Sequence, residues 1–152
     1  MGGMATVFTK IIEGEFPGTF AWADDACVAF ASINPISDGH LLVVPRQEVA
    51  KFTEADDDLL AHLIHVAKIV GRAQEAAFDA PRAALIVAGF EVPHMHIHVI
   101  PAWGEAELTF ANARAEVPGE ELTAATEKVR AALRAQGHGA NVPPDPGSAR
   151  LA

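Results

Sequence analysis

Apolar residues recur along this chain with two different spacings. In three segments they return every three or four positions, which is the spacing of an amphipathic helix. This pattern predicts three helices, over residues 6–14, 54–78 and 119–136. Thr53 is the candidate N-cap of the long central helix. His65 points away from the apolar stripe of that helix and His62 lies at its margin, and we interpret both as solvated.

Other apolar residues form short runs bounded by turn residues, as is typical of strands. Five such runs cover residues 19–23, 26–32, 40–45, 82–88 and 93–101. Asp24 and Asp25 join the first two as a solvated hairpin turn, and the run at 82–88 predicts a buried strand. Because strands and helices are mostly segregated along the chain, we expect an α+β fold. Its antiparallel sheet of about five strands is covered on one side by helices.

The length and composition fit one domain with a sizeable core, since half of the 152 residues are apolar. We assign residues 1–136 to this domain. Residues 137–152 contain three prolines that cannot continue a helix, and they predict a flexible C-terminal tail. The single cysteine, Cys27, excludes an intrachain disulfide and a thiolate-rich metal cluster.

Charge and hydropathy limit the partners of the protein. The net charge of −9 argues against nucleic acid as a ligand, because nucleic-acid-binding domains usually present a basic surface. No apolar run is long enough to cross a bilayer, and residues 1–5 lack the features of a signal peptide. We therefore expect a cytoplasmic protein that does not associate with a membrane.

Three histidines alternate with apolar residues between Pro93 and Pro101. A strand sends successive side chains to opposite faces, so His94, His96 and His98 are predicted to share one face. Neighbours on that face are roughly 6.5–7 Å apart, and the outer two about 13 Å apart. One metal ion could bind two of them but hardly all three. A lone histidine on a strand is usually structural, whereas three in a row favour phosphoryl chemistry, because imidazole exchanges protons near neutral pH and can attack phosphorus.

These residues resemble the histidine-triad (HIT) family of nucleotide hydrolases and transferases, whose signature is His-x-His-x-His followed by apolar residues. Here the signature is HMHIHVIP, from His94 to Pro101. Two further blocks resemble the family in the same order, VFTKIIEGEFP at residues 7–17 and GHLLVVPR at residues 39–46. Together the three blocks span about residues 6–103.

The resemblance implies that His96 attacks the α-phosphate of a nucleotide and forms a nucleotidyl-histidine intermediate, which water then releases. It implies that His94 and His98 bind the phosphate oxygens and that His40 is a supporting fourth histidine. The positions that match the family's apolar purine pocket are Val7, Phe8, Ile11, Phe30 and Ile33. A purine nucleotide of the AMP or GMP type is the implied ligand, with no cofactor, and the implied assembly is a homodimer.

Three residues depart from the family pattern or have more than one interpretation. Ser32 stands where relatives often have an acid that binds both ribose hydroxyls, and a serine hydroxyl replaces only part of that contact. Glu91 replaces a neutral donor before the triad, and a carboxylate repels phosphate. It assists proton transfer, favours an amine-bearing substrate, or points into solvent. Trp103 closes the pocket or lies in an interface or in the core.

Three functions remain open at this point. The leading hypothesis is a nucleoside phosphoramidase or nucleotide phosphohydrolase, and the alternative is a nucleotide-binding or interaction module with little catalysis. The third, a metal hydrolase that uses two histidines with Glu91 or His40, is disfavoured by the spacing along the strand. Thr6 and Thr9 stand where many bacterial relatives have zinc-binding cysteines, so we expect no structural zinc.

Overall fold

The computed structural model describes residues 5–152, which form an α+β domain built on one antiparallel sheet. The strands are β1 (Phe20–Ala23), β2 (Cys27–Ala31), β3 (Leu41–Pro45), β4 (Arg82–Ile86) and β5 (Ile97–Ala102). The helices are α1 (Val7–Ile12), α2 (Asp57–Phe78) and α3 (Gly119–Ala135). Short 3₁₀ turns lie at Phe52–Glu54, Glu105–Glu107, Phe110–Asn112 and Gly139–Asn141. The strand order is β1-β2-β3-β5-β4, so the expected five-stranded α+β fold is confirmed.

The two faces of the sheet carry different layers. On one face, α2 and α3 pack over the strands, and Val66 and Val70 of α2 share an apolar cluster with Val99 of β5. Leu42 of β3 belongs to a second, smaller cluster on the opposite face. His98 of β5 pairs directly with Leu42, and directly paired residues share a face. His98 therefore lies on the face that the long helix leaves open.

The central helix begins later than the sequence indicates. The candidate N-cap Thr53 lies in a separate 3₁₀ turn, and Asp56 is the N-cap residue of α2. Between them Ala55 has an extended backbone, with φ −77° and ψ 145°, which ends the short turn before the helix starts. The apolar periodicity continues across this break, which explains the difference from the predicted start.

The strand over residues 82–88 is an edge strand and ends at Ile86, so the expectation of a buried strand is wrong. Leu85 is 46% exposed and Val87 is 39% exposed. An apolar run is typical of a strand with neighbours on both sides. Here β4 has only β5 as a neighbour within the described chain.

The C-terminal segment, residues 137–152, differs from the flexible tail that its prolines predict. Val142 is buried, and the N–H of Phe20 at the start of β1 donates to the carbonyl of Pro146 at 2.7 Å. The buried Arg130 of α3 also donates to a carbonyl of this segment. The segment therefore covers the free edge of β1 and satisfies groups that the sheet leaves unpaired.

None of the helices within residues 5–152 combines the length and the apolar character needed to cross a bilayer. The expected lack of a signal peptide rests mainly on Met1 to Met4, which lie outside the described residues. A cytoplasmic location therefore stays a prediction.

Candidate active site

The histidine segment does not form the regular row that the sequence predicts. β5 begins at Ile97, so His98 alone of the three lies in a regular strand. The N–H of His94 donates to the carbonyl of Val92, only two residues earlier, which bends the chain before the strand. As a result the rings of His96 and His98 come together, with centroids 4.9 Å apart. The ring of His94 instead lies between the hydroxyl of Thr6 and the carbonyl of Pro45.

His96 is held as a neutral imidazole with one free nitrogen. Its Nδ1 lies 2.8 Å from the carbonyl oxygen of His94, and a carbonyl only accepts, so Nδ1 carries the hydrogen. Nε2 therefore carries a lone pair, and no group within the described residues bonds to it. Burial lowers the pKa of His96, which keeps the ring unprotonated at neutral pH. This is the protonation state that a nitrogen nucleophile needs.

His98 is held as a hydrogen-bond donor through His40. The backbone N–H of Ile36 donates to Nδ1 of His40 at 3.0 Å, so the hydrogen of that neutral ring is on Nε2. Nε2 of His40 in turn donates to Nδ1 of His98 at 2.9 Å, which places the hydrogen of His98 on its own Nε2. Burial lowers the pKa of His40 to about 3 and that of His98 to about 4. The fourth histidine therefore fixes which nitrogen of His98 offers an N–H.

The backbone that carries this histidine pair is fixed by α2. Gln74, fully buried, donates from Nε2 to the carbonyls of Gly39 and Val99, which precede His40 and follow His98. Gly39 has φ +83°, and a Cβ built there would lie 2.2 Å from the ring of Phe78. Only glycine fits this position. The close contact between this loop and α2 therefore fixes the backbone position of His40, the next residue.

His94 has a structural role. Its ring is fully buried, with Nε2 2.7 Å from the carbonyl oxygen of Pro45 and Nδ1 2.6 Å from the hydroxyl of Thr6. Both ring nitrogens are therefore occupied by the protein, and neither can reach a phosphate oxygen. The phosphate-binding role that the resemblance implies for the side chain of His94 does not fit this geometry. Its carbonyl, in contrast, orients His96.

Phe8 forms an aromatic wall beside the candidate nucleophile. Its ring lies edge-on to His96, with centroids 4.8 Å apart, and 5.7 Å from the ring of His94. Phe30 packs behind it at 5.6 Å. These two members of the predicted apolar pocket therefore lie together, and such pairs stabilise each other by about 0.5–1.5 kcal/mol beyond burial.

The other predicted pocket residues are less enclosed. Ile11 packs at the margin of the cluster that contains Phe8, and Val7 is 40% exposed. Ile33 is 72% exposed and packs against little of the protein. Ser32 is half-buried, and its hydroxyl oxygen accepts from the N–H of Asn34 at 3.3 Å. None of these four side chains is fully buried.

The segment after β5 reaches back over the site, which the sequence did not predict. The ring of Phe110 lies 5.0 Å from the ring of His98. Arg114 holds this segment, because its guanidinium donates to Asp38 at 2.6 Å. Trp103, at the start of the segment, is 54% exposed, and its N–H donates to the carboxylate of Glu107. Phe110 has no pattern signal in the sequence that distinguishes it from a surface phenylalanine.

Glu91 and Phe90 lie in the loop that precedes the triad. Glu91 is exposed and makes no hydrogen bond or ion pair with residues 5–152, and Phe90 is 97% exposed. The interpretation of Glu91 as a solvent-facing residue agrees with this placement.

A second cluster, formed by Asp24, Cys27 and His62, lies at the hairpin between β1 and β2. The carboxylate of Asp24 accepts from the backbone N–H groups of Ala26 and Cys27, from the indole of Trp22, and from His62 at 2.8 Å. Burial raises the pKa of the Cys27 thiol, so it stays protonated. Asp24 therefore organises the turn, and neither it nor His62 is simply solvated as expected.

We predict that acid destabilises the protein between pH 7 and pH 5. The pKa of His40 is lowered to about 3 in the folded state, so between pH 6.5 and pH 3 the unfolded chain binds a proton at His40 that the folded protein does not bind. The contribution is fully present above the unfolded pKa of 6.5 and is lost as the pH falls. By pH 5 this loss amounts to about 2 kcal/mol of unfolding free energy for His40 alone.

Denaturant unfolding at several pH values measures this slope. The pKa values of Asp24, Glu48 and Glu127 are lowered below the ordinary carboxyl range, so these acids contribute only at lower pH. Replacement of the exposed His65 by alanine should leave the slope unchanged. Equal stability at pH 7 and pH 5 would contradict the neutral histidine cluster.

This chain is similar to known proteins in both sequence and fold. A family profile described as HIT domain matches residues 13–104. An uncharacterised HIT-like protein of Methanocaldococcus jannaschii is 39% identical over 107 residues, which are 67% of this chain and 83% of that protein. The crystal structure of a HIT-like protein from Bartonella henselae superposes with a TM-score of 0.77 at 30% identity, covering 86% of this chain and 98% of that one. A hypothetical histidine triad nucleotide-binding protein from Sulfolobus tokodaii superposes with a TM-score of 0.74, also at 30% identity, covering 84% of this chain and 91% of that one.

Proposed function

Because the chain belongs to the HIT family, we propose that it binds purine nucleotides and hydrolyses nucleoside phosphoramidates or related nucleoside monophosphate conjugates through a covalent intermediate on His96. One observation carries the proposal. Nε2 of His96 is unprotonated and free, and it lies beside a histidine whose own Nε2 is held as an N–H donor. A lone pair for phosphorus and a donor for phosphate oxygen are thus adjacent.

The proposed reaction has two displacements at phosphorus. In the first, Nε2 of His96 forms a bond to the α-phosphorus while the bond from phosphorus to the leaving amine breaks, and the amine takes the electron pair. In the second, water attacks phosphorus, the bond to Nε2 breaks, and the nucleoside monophosphate leaves. The carbonyl of His94 stays bonded to Nδ1–H throughout, so it stabilises the positive charge of the nucleotidylated ring.

The histidine pair supports an amine as the leaving group. The N–H of Ile36 fixes the hydrogen of His40 on Nε2, and this N–H in turn fixes the hydrogen of His98 on its own Nε2. A proton added to Nδ1 of either ring would face the N–H group that now donates to that nitrogen. The low pKa values, about 3 and about 4, agree with a pair that stays neutral. The pair can donate a hydrogen bond but is a poor source of a proton. A phosphoramidate suits such a site, because its nitrogen takes a proton from water before it departs, and the second step returns a proton to water.

The proposal that the ligand is a nucleotide is supported by the positions of Phe8 and Phe30. An aromatic wall next to the nucleophile can pack against the base or ribose of a nucleotide. The similar structure from Sulfolobus tokodaii is that of a hypothetical histidine triad nucleotide-binding protein, which supports the same ligand class. AMP and GMP are the ligands that we expect to bind.

The proposal is tested by incubating the protein with adenosine and guanosine 5′-phosphoramidates. We expect release of AMP or GMP, and after an acid quench a fraction of the protein should carry the mass of one nucleotidyl group. Activity should survive chelators, since Nε2 of His96 is the one triad nitrogen with a free lone pair in the described residues, and a single imidazole does not make a metal site. Thermal stabilisation by AMP or GMP without release or trapping would instead establish a nucleotide-binding module with little catalysis.

We also propose that two copies pair through β4 to form a homodimer. One edge of the sheet, β1, is covered by the C-terminal segment, whereas β4 is left with exposed apolar side chains such as Leu85. An uncovered apolar edge strand favours pairing with another strand, and a second copy related by a two-fold axis offers the same edge. We expect Leu85→Lys to shift the mass measured by light scattering from two chains to one. The matched control is Ile64→Lys, at an apolar position of α2 that is 52% exposed, and a monomeric wild-type protein would contradict the proposal.

A further inference from the structure

A polar network outside the histidine cluster links the surface to the candidate nucleophile. The carboxylate of Glu48, just after β3, accepts from the backbone N–H of Thr6 at 3.0 Å and from the hydroxyl of Thr9 at 2.7 Å. Both bonds go to the same oxygen, Oε1. The hydroxyl of Thr6 lies 2.6 Å from Nδ1 of His94. An exposed acid is thus two hydrogen bonds away from the fully buried ring.

The hydrogens of this network can be assigned from its fixed ends. Nε2 of His94 faces the carbonyl of Pro45, so it carries the hydrogen of the neutral ring, and Nδ1 accepts. Thr6 must then donate its single hydroxyl hydrogen to Nδ1, and its oxygen accepts from the N–H of Thr9 at 3.1 Å. The hydroxyl of Thr9 donates to Glu48. The two threonine hydroxyl oxygens also lie 3.3 Å apart, but each hydroxyl already donates to a closer partner, so the arrangement keeps a single direction.

The network ends on the two groups that surround His96. The carbonyl of His94 accepts from Nδ1–H of His96, so the position of His94 sets the direction in which Nε2 points. Thr6 caps α1, and the same helix carries Phe8, whose ring lies edge-on to His96. A helix of six residues has little stability of its own, so its position depends on such anchors.

We infer that Glu48 is a positioning residue for the proposed nucleophile, acting through Thr6 on the buried ring of His94 and on the start of α1. This inference rests on the proposed function, since Glu48 is inferred to orient the nucleophile His96 and not to contact the substrate. Glu48 itself makes no hydrogen bond with His96 or His98. The hydrogen bonds are needed rather than the charge, because one oxygen atom accepts both.

The test compares variants that keep or remove single hydrogen bonds. Glu48→Gln keeps an oxygen at the position of Oε1, whereas Glu48→Ala removes it. Thr6→Ser keeps the donor to His94, whereas Thr6→Val removes it with nearly the same shape. We expect kcat for a nucleoside phosphoramidate to fall about tenfold in Glu48→Ala and in Thr6→Val, with a smaller change in KM, because a slight misalignment of reacting atoms lowers the rate of the chemical step. Glu48→Gln and Thr6→Ser should retain most of the wild-type kcat, and the control Glu54→Ala, at another exposed glutamate, should be unchanged.

Nitrogen NMR of the imidazoles provides a readout that does not need turnover. In the wild-type protein Nδ1 of His94 should show the shift of a hydrogen-bonded acceptor, and Thr6→Val should move it toward the value of a free one. The Nδ1–H signal of His96 should broaden in Thr6→Val and Glu48→Ala but not in Glu54→Ala. Melting temperatures show whether each variant is folded.

The outcomes separate the two proposals. Wild-type kcat and unchanged His96 signals in folded Glu48→Ala and Thr6→Val would overturn the positioning role while the proposed function stands. A wild-type protein that releases no nucleotide would overturn the proposed function, and the imidazole spectra would still decide whether Glu48 orients the ring. A loss of kcat in Glu48→Gln as large as that in Glu48→Ala would overturn the claim that the hydrogen bonds, rather than the charge, are what matters.

Discussion

Replacement of His96 by alanine is expected to reduce turnover of a nucleoside phosphoramidate by at least about four orders of magnitude, as removal of a covalent nucleophile does in other enzymes. No other nitrogen in the cluster can take over, because His94 has both nitrogens bonded and His98 presents an N–H. AMP should still bind, since the aromatic wall and the donor of His98 remain. Single-turnover assays measure the first effect, and titration calorimetry with AMP measures the second.

The matched control for this substitution is His65→Ala, which removes an exposed histidine of α2, the helix that packs on the opposite face of the sheet from His98. It should leave turnover and AMP binding unchanged. In His96→Gly, added imidazole should restore part of the turnover by occupying the vacated volume. Substantial turnover by His96→Ala, or a nucleotidyl group trapped on that variant, would end the assignment of His96 as the nucleophile.

The secondary structure was largely predictable, because it follows from local spacing. The period of apolar residues gave α2, α3 and the β1–β3 strands to within a few residues. The errors lie where tertiary contacts decide. The exposed side of β4 and the packing of the C-terminal segment depend on which sheet edges are free, and a single sequence does not show this. The turn at Phe52–Glu54 was missed because the apolar periodicity continues across the extended backbone of Ala55.

For the candidate site, the sequence predicted which histidines take part but not how they are arranged. The alternating histidines and the matching blocks identified His40, His94, His96 and His98, but the strand geometry expected for them was wrong. Regular spacing would have spread the three rings along one face, whereas the bend at His94 brings His96 against His98 and buries His94. The contributions of Glu48, Gln74 and Phe110 depend on contacts between residues far apart in sequence, so no local pattern could reveal them.

In this cluster, backbone groups determine the position of the hydrogen on each histidine ring. The carbonyls of Pro45 and His94 and the N–H of Ile36 decide which nitrogen of each ring is protonated. Burial then keeps the rings neutral, so the directions of the hydrogen bonds are the same over a wide range of pH. The site is organised before any ligand binds, and such preorganisation is the main source of electrostatic stabilisation in catalysis.

Replacement of His98 by alanine is expected to lower kcat by about 10²–10³, the loss typical when one preorganised donor to a developing negative charge is removed. The donor is Nε2–H, which the pair with His40 holds in place. His98→Gln should lose less, because its amide can still donate. Stopped-flow assays of AMP release from phosphoramidates measure both effects.

A comparison of leaving groups decides whether His98 acts as a donor or as an acid. A group that only donates a hydrogen bond to phosphate oxygen should produce a similar loss whether the leaving group is an alkylamine, an aniline or p-nitrophenolate. A group that transfers a proton should produce a loss that increases steeply with the pKa of the leaving group. Because the pair with His40 cannot gain a proton without setting two N–H groups against each other, we expect the flat dependence. A steep dependence would show that substrate binding rearranges the pair, and the neutral donor would then be the wrong description of His98.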